Sequence, residues 1–481
     1  MLYSRESCVA LDPELVLKND VDRVVVLTRP VAVRSGISCM LRPSEAIIIA
    51  LLDGQRTLGD VGRLWGELTE RDEDIGHSEV EALVTKLTTN SFKEANLLVS
   101  VSESNRGKVV QYDPNTFVIS KEKLNFSDRR LRVPYKVTYL PTMFCPQKCV
   151  YCYAKTYPTR EQNLLGIDRL REIIAELAAL GVDRIQMSGG DAMAHPQIFD
   201  ILEMIVGFGM GVDLPTKLGV SYAQAKRLYD LGIDTIQVSL DSSDPETLDF
   251  MVGVKNYNKR VLQCLDELRM ANIRVRINCV ATPHNLSTLG PLIDFIGKYE
   301  NIFRLTFSPY ARSIWHHQEG LFLSDDDIKT IKEQVERRAG LYPHLLIAVG
   351  GNGAVAPMDP HQRVEEWKNR GQCTGNRDGF VILPDGKVTV CEELYDHPEF
   401  IIGDLTRQSV MEMWDSAEAW NLIRPDQTSV PSGPCRTCST FEECHSGQGI
   451  CWRDTLKGYG WDKHYYPDLR CPKAPEGARR I

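Results

Sequence analysis

Ten of the chain's 14 cysteines fall in two groups, and their spacing constrains the fold more than any other feature. Cys145, Cys149 and Cys152 stand at C-x3-C-x2-C spacing, just after a strand-like run, Tyr135-Lys136-Val137-Thr138-Tyr139-Leu140. Cys373, Cys391, Cys435, Cys438, Cys444, Cys451 and Cys471 crowd the last quarter. The first residues, Met1-Leu2-Tyr3-Ser4-Arg5-Glu6, are not a charged start followed by an apolar run, which predicts no secretory signal. No run of about 18 apolar residues exists, so no membrane span is expected. The reading is a cytoplasmic protein, where clustered thiols are more often metal ligands than disulfides. Cys264 and Cys279 sit in apolar contexts and read as buried structural thiols; Cys8 and Cys39 have no partner at ligand spacing.

At 481 residues the chain exceeds one compact core, so several domains are expected. Val24-Val25-Val26-Leu27 and Val31-Ala32-Val33 read as strands. Helical patterns follow at Ala46–Leu52, stopped by Asp53-Gly54, at Thr57–Leu68, and after Ser78-Glu79-Val80-Glu81, which has the form of a capping box. Strands followed by three short helices make a winged-helix-like unit over residues 1–105. Such a unit can bind DNA, but these positions hold 11 Lys and Arg against 17 Asp and Glu, and the whole chain carries a net charge of −9. That balance disfavours a phosphate backbone, and no nucleic-acid partner is expected. Residues 106–134 are polar and read as a linker that can pack on its neighbours.

From Tyr135 to about 345, strand and helix signals alternate, with helices at Leu165–Leu180, Tyr222–Leu231, Lys259–Met270 and Ile328–Arg338. Alternation implies parallel strands joined by helical crossovers, with an active site at the strands' C-terminal ends. Asp325-Asp326-Asp327 opens a helix after Ser324 and meets its dipole without need of a metal. Three thiolates on one loop can hold three irons of a 4Fe–4S cluster and leave the fourth open. A structural zinc would want a fourth ligand, and no His stands nearby in sequence.

The spacing, with Tyr151 before the last Cys, resembles the signature of the radical S-adenosylmethionine (SAM) superfamily. Arg184-Ile185-Gln186-Met187-Ser188-Gly189-Gly190-Asp191 resembles that family's Gly-Gly-Glu motif, with Asp191 one methylene shorter than the usual acid. By resemblance, Gly189, Gly190 and Asp191 receive the methionyl amino group of SAM. Ser239, ending Thr235-Ile236-Gln237-Val238-Ser239, faces the cofactor's carboxylate or ribose in relatives; a strand-end cap is the alternative. Many relatives continue with Arg-Gly where this chain has Val252-Gly253, and Arg260 is the candidate substitute. Asn278 and Tyr151 complete the expected cofactor contacts, a satisfied strand residue being the equal alternative for Asn278. The implied fold is α/β, a partial (β/α)6 barrel over residues 135–345.

Residues 346–481 resemble the SPASM extension, which carries auxiliary iron–sulfur clusters. Cys373 and the turn Asp385-Gly386-Lys387-Val388-Thr389-Val390-Cys391 match its first part, and Cys435-x2-Cys438-x5-Cys444 its second. The next gap, six residues to Cys451, is longer than the usual three. The resemblance implies one cluster on Cys435, Cys438, Cys444 and Cys471, and another on Cys373, Cys391 and Cys451 with an iron free or otherwise met. Structural zinc on the C-x2-C pair is the competing reading. His445 reads as a solvated loop residue, and Trp315, His316 and His317 as loop or packing residues near the barrel mouth.

The N-terminal unit, through Leu51-Leu52-Asp53-Gly54 and Leu58, resembles the small peptide-recognition domain of the pyrroloquinoline-quinone pathway, which binds a leader peptide as an added strand. Together the resemblances imply three 4Fe–4S clusters, SAM as cosubstrate, and a reducing partner such as flavodoxin or ferredoxin. They imply an enzyme that makes a 5′-deoxyadenosyl radical and takes a hydrogen from a ribosomally made precursor peptide. The outcome would be a carbon–carbon, thioether or ether cross-link, or a related modification. Two alternatives stand beside it. One is a radical enzyme acting on a folded protein, of the sulfatase-maturing kind, or on a small molecule or tetrapyrrole. The other is a non-catalytic iron–sulfur or zinc protein that binds peptide or DNA.

Overall fold

A computed structural model of the chain describes residues 3–28, 37–89, 97–102, 107, 109–157, 159, 163–350, 360–370, 373–447 and 449–475. The chain forms two compact units, Met1–Val133 and Pro134–Ile481.

The first unit holds β1 (Cys8–Leu11), β2 (Leu15–Asn19), β3 (Val24–Thr28), β4 (Ile37–Leu41), α1 (Pro43–Leu51), β5 (Asp53–Thr57), α2 (Leu58–Leu68), α3 (Glu73–Thr89) and β6 (Leu98–Ser100). β2, β3 and β4 form an antiparallel meander, and β1 lies between β5 and β6. Val24–Leu27 are buried, as are Leu51, Leu58, Val61 and Leu83, so the apolar spacings seen in the sequence are one core. The expected strand at Val31–Val33 lies outside the described residues. The capping box at Ser78 does not form. α3 begins five residues earlier, at Glu73, and Ser78 is interior to it. Two acidic residues in its first turn, Glu73 and Asp74, meet the helix dipole there instead.

The stretch before Pro134 is packed onto this unit. Phe117, Arg130 and Leu131 are buried. Arg23 and Asp20 form a fully buried ion pair at 3.0 Å, and Arg23 donates to the carbonyls of Asp128 and Arg130. Arg132 reaches Asp22 at 2.8 Å, and its N–H donates to Asp20. The β2–β3 turn thus binds this segment through charge and backbone together.

The second unit opens with β7 (Lys136–Tyr139), α4 (Ile167–Ala179), β8 (Arg184–Met187), α5 (Ile198–Gly207), β9 (Gly211–Asp213) and β10 (Pro215–Thr216). It continues with α6 (Tyr222–Asp230), β11 (Thr235–Ser239), α7 (Pro245–Val252), α8 (Tyr257–Met270), β12 (Arg274–Ala281), α9 (Leu289–Ile296), β13 (Ile302–Pro309), α10 (Asp325–Ala339) and β14 (Leu346–Val349). β7, β8 and β9 run parallel, and so do β10 through β14. Only Leu214 separates β9 from β10, so the two sheets form one wall of six barrel strands and an edge strand, β14. Three of these helices, α6, α7 and α10, begin at side-chain caps. Ser324 and Asp327 cap α10 reciprocally, and Asp244 caps α7 with Pro245 at its first position.

Side chains alternate across these strands, as a pleat requires. In β12, Val275, Ile277, Cys279 and Ala281 are buried in the core with the helices, as is Cys264 of α8. The alternate set, with Gln186, Gln237, Ser239 and Asn278, faces the lumen. The polar half of each strand therefore becomes the wall of a cavity.

The rest of the unit comprises α11 (Pro360–Asn369), β15 (Gly379–Ile382), β16 (Lys387–Thr389), β17 (Ile401–Asp404), α12 (Val410–Trp414), α13 (Ala417–Ile423), α14 (Phe441–Ser446) and α15 (Trp452–Tyr459). β15 pairs parallel with β7, Gly379 opposite Lys136, and β16 and β17 extend the sheet antiparallel. The Cys-rich segment is thus continuous with the barrel sheet. His445, expected as a solvated loop residue, is buried in α14 with its ring 4.4 Å from that of Phe441. Among the described residues no helix is long and apolar enough to cross a membrane.

Candidate active site

A cavity of about 570 Å3 opens at the C-terminal ends of the barrel strands. Cys145, Cys149, Tyr151, Cys152, Gly189, Gly190, Asp191, Ser239 and Asn278 all line it. Arg260 does not; it is exposed on α8, so the missing arginine is not replaced from that helix.

The loop that carries the three thiols is held by backbone. Lys148 N–H donates to Val252 O at 3.1 Å and Val150 N–H to Met251 O at 3.0 Å, so the Val252-Gly253 end of α7 grips it without an arginine. On its other side, Gly190 N–H donates to Thr142 O and Asp191 N–H to Phe144 O. A Cβ on Gly190 would stand 2.2 Å from Phe144 O. This glycine is needed because the loop backbone passes against it.

Asp191 reaches the cavity wall, but its carboxylate is already taken. It accepts from Met193 N at 3.0 Å, Thr216 Oγ1 at 3.0 Å, Lys217 N at 2.7 Å and Leu218 N at 3.2 Å. Asp191 therefore ties the end of β8 to the turn after β10. Ser239 and Asn278 stand opposite each other in register, and Ser308 Oγ donates to Asn278 Oδ1 at 2.9 Å.

Sequence reasoning missed the groups that fix Tyr151. Lys217 Nζ lies 2.5 Å from Tyr151 Oη and 2.9 Å from Asp241 Oδ2, and Tyr151 donates to the same carboxylate oxygen. Asp241 is fully buried, and its second oxygen accepts from Val280 N at 3.0 Å. Burial opposes the Lys217 charge, but Asp241 outweighs it and holds the ammonium above its ordinary pKa. The signal was in plain sight, since Asp241 follows Ser239 by two residues at a strand end. At the roof, Tyr153 Oη donates to Glu392 at 2.8 Å, and Ser188 Oγ bonds the same carboxylate. Glu392 follows Cys391, so the second cysteine array contributes to the same cavity.

Burial pushes the thiol of Cys145 up to about 12 and that of Cys149 up to about 11, although Lys217 works against the rise at Cys149. Thiols in such surroundings become thiolates when a metal replaces the proton. Cys435, Cys438, Cys444 and Cys471 lie near enough to act on one another's charge, and so do Cys373, Cys391 and Cys451. Asp468 joins the two sets. Its carboxylate accepts from Cys451 N at 3.0 Å and its carbonyl from Cys471 N at 2.9 Å. Lys473 Nζ lies 3.2 Å from Cys438 Sγ. Among the described residues no three His, Cys, Asp or Glu side chains close around one metal-sized point. In a 4Fe–4S cube each thiolate meets a different iron, so that group does not require the thiols to close on one point.

Residues 139–296 match the radical SAM superfamily, and residues 373–439 match the SPASM iron–sulfur cluster-binding domain. A PqqA peptide cyclase from Methylorubrum extorquens (strain PA1) is 25% identical over 306 residues, 63% of this chain and 77% of the relative. The mycofactocin maturase MftC of Mycobacterium ulcerans is 24% identical over 326 residues, 66% of this chain and 83% of its own. The crystal structure of Streptococcus suis SuiB bound to S-adenosylmethionine shares the fold, with a TM-score of 0.60 over 96% of this chain and 99% of that one, at 15% identity. A second SuiB structure, bound to its precursor peptide SuiA, gives 0.59 over the same shares. With its three thiols set at the mouth of a parallel barrel, the chain carries a stretch that matches the radical SAM superfamily at residues 139–296 and one that matches the SPASM domain at residues 373–439.

Proposed function

We propose that the chain is a maturase of a ribosomally made peptide. The observation that carries the reading is the shared cavity, in which the Cys145–Cys152 loop and the Cys391-Glu392 corner of the second array face one lumen. The similarity to enzymes named for peptide cyclisation and maturation supports it.

Cys145, Cys149 and Cys152 hold one 4Fe–4S cluster with an open iron. Cys435, Cys438, Cys444 and Cys471 hold a second, and Cys373, Cys391 and Cys451 a third. A cluster with an open iron supplies one-electron cleavage of SAM and so a radical able to take hydrogen from unactivated carbon. The chain's own residues do the rest. Gly189 and Gly190 keep the loop close to β8, and Tyr151, pinned by Lys217 and Asp241, fixes its far end. Gln186, Gln237, Ser239 and Asn278 give SAM a wall of hydrogen-bonding groups. The three thiols sit half-buried in the cavity wall, and Asp468 holds the two later cysteine sets side by side. The first unit recognises a leader peptide through an open sheet edge. β4 is paired only with β3 among the described residues, which leaves a row of backbone groups for an added strand. A flavodoxin or ferredoxin delivers the electron.

Mass spectrometry tests this reading. The product of a short reading frame encoded beside this gene is treated with reconstituted, reduced enzyme and SAM. A mass decrease of two hydrogens, or another fixed change mapped to one segment, is expected. An unchanged peptide, while SAM is consumed, overturns the peptide reading.

A further inference from the structure

We infer that Arg312 is a specificity-determining residue that receives a carboxylate on the substrate, so that the segment being modified carries an acidic side chain. The inference rests on the peptide reading above. It starts from the charges that line the cavity, which are paired within the protein with one exception. Asp213 is bonded by Arg276, Lys217 by Asp241 at 2.9 Å, and Glu393 by Lys457 at 3.2 Å and Arg453 at 3.4 Å. Asp191 is filled by the backbone and Thr216, and Glu392 by two hydroxyls.

Arg312 lines the same cavity with no carboxylate at ion-pair distance among the described residues, and its Nε is buried without a hydrogen-bond partner. A buried N–H donor without an acceptor is unfavourable, so a half-buried guanidinium left open in a lumen is set for a ligand. A planar guanidinium matches a carboxylate through two parallel N–H bonds. Its place is also fixed. Arg312 follows the end of β13, in a loop anchored at both sides of the mouth. Ile314 N donates to Glu393 at 3.1 Å, and Gln318 Nε2 donates to Val150 O, in the cysteine loop, at 3.0 Å.

Two carboxylates can enter this cavity, that of SAM and that of the substrate. By resemblance SAM's carboxylate or ribose belongs at Ser239 of β11, which β12 separates from β13, and its methionyl amino group at Gly189–Asp191, after β8. In sheet order the β9/β10 pair, β11 and β12 lie between that point and β13. The substrate is therefore the source that Arg312 faces.

The test uses the full, anaerobically reconstituted chain and four capped tripeptides, Ala-Xaa-Ala, with Xaa perdeuterated Glu, Gln, Lys or Leu at millimolar concentration. Deuterium carried into 5′-deoxyadenosine reports hydrogen taken from Xaa. The wild type is expected to label at least about tenfold more from Glu than from Gln, a discrimination of about 1.4 kcal/mol. Arg312→Gln is expected to bring that ratio to about one while the SAM dissociation constant, by equilibrium dialysis, stays within about twofold. Arg312→Lys is expected to keep part of the preference. Equal labelling from Glu and Gln, or none from any tripeptide, overturns the inference. So does a rise in the SAM dissociation constant in Arg312→Gln, which assigns the residue to SAM. None of these outcomes depends on the neighbouring reading frame, so the peptide reading stands or falls separately.

Discussion

Asp241 and Lys217 show how much one buried pair settles. Asp241 is fully buried and Lys217 nearly so, and together they hold the hydroxyl of Tyr151, which lies between two of the loop thiols. Removing one member of a buried pair leaves a charge without its partner, at a cost of roughly 3–5 kcal/mol. Asp241→Asn is expected to lower stability in denaturant by about 3 kcal/mol or more. The double variant Asp241→Leu, Lys217→Met is expected to lose less than the sum of its parts, because it buries no unpaired charge. His195 gives a pH dependence. Its Nδ1 accepts the N–H of Gln197 at 3.1 Å, and burial lowers its pKa from 6.5. Below about 6.5 the unfolded chain takes up a proton that the folded chain refuses. Stability from this residue is present above that pH and is lost as pH falls below it. Chemical denaturation from pH 7.5 to 5.5 is expected to show a slope that His195→Gln reduces.

At the scale of elements, the pairing of β7 with β15 ties the cysteine-rich segment to the barrel. A Cβ on Gly379 would lie 2.0 Å from Lys136 O, within the paired strands. Gly379→Ala is expected to cost about 1–3 kcal/mol, the usual penalty of overpacking, measured by denaturant midpoint. Its effect should also reach iron content at both ends of the unit, since β15 lies between Cys373 and Cys391. Four barrel helices, α4, α6, α8 and α10, were legible from their apolar spacing, whereas α5, α7 and α9 were not. The β7–β15 pairing was not legible either, because parallel partners more than two hundred residues apart leave no local signal. The helix start at Glu73 was hidden for a different reason. Ser78-x2-Glu81 has the form of a cap, and only the packing of the turn before it shows that the helix is already under way.

For the whole molecule, the cysteine spacing and the glycine-ended strand were enough to place the loop at the mouth of a barrel. They were not enough to find what holds it. Lys217, Glu392 and Arg312 come from three separate segments, and only the fold brings them to one lumen, with Asp241 buried behind Lys217. The central claim is that the three loop thiols hold an iron–sulfur cluster with one iron open to SAM. The direct measurement is 5′-deoxyadenosine formation by the anaerobically purified, reconstituted and reduced chain given SAM. About one or more equivalents per chain are expected, with none from Cys149→Ala even though its auxiliary iron is retained. A wild-type chain that holds zinc at these thiols, or forms no 5′-deoxyadenosine when its iron sites are full, would contradict it.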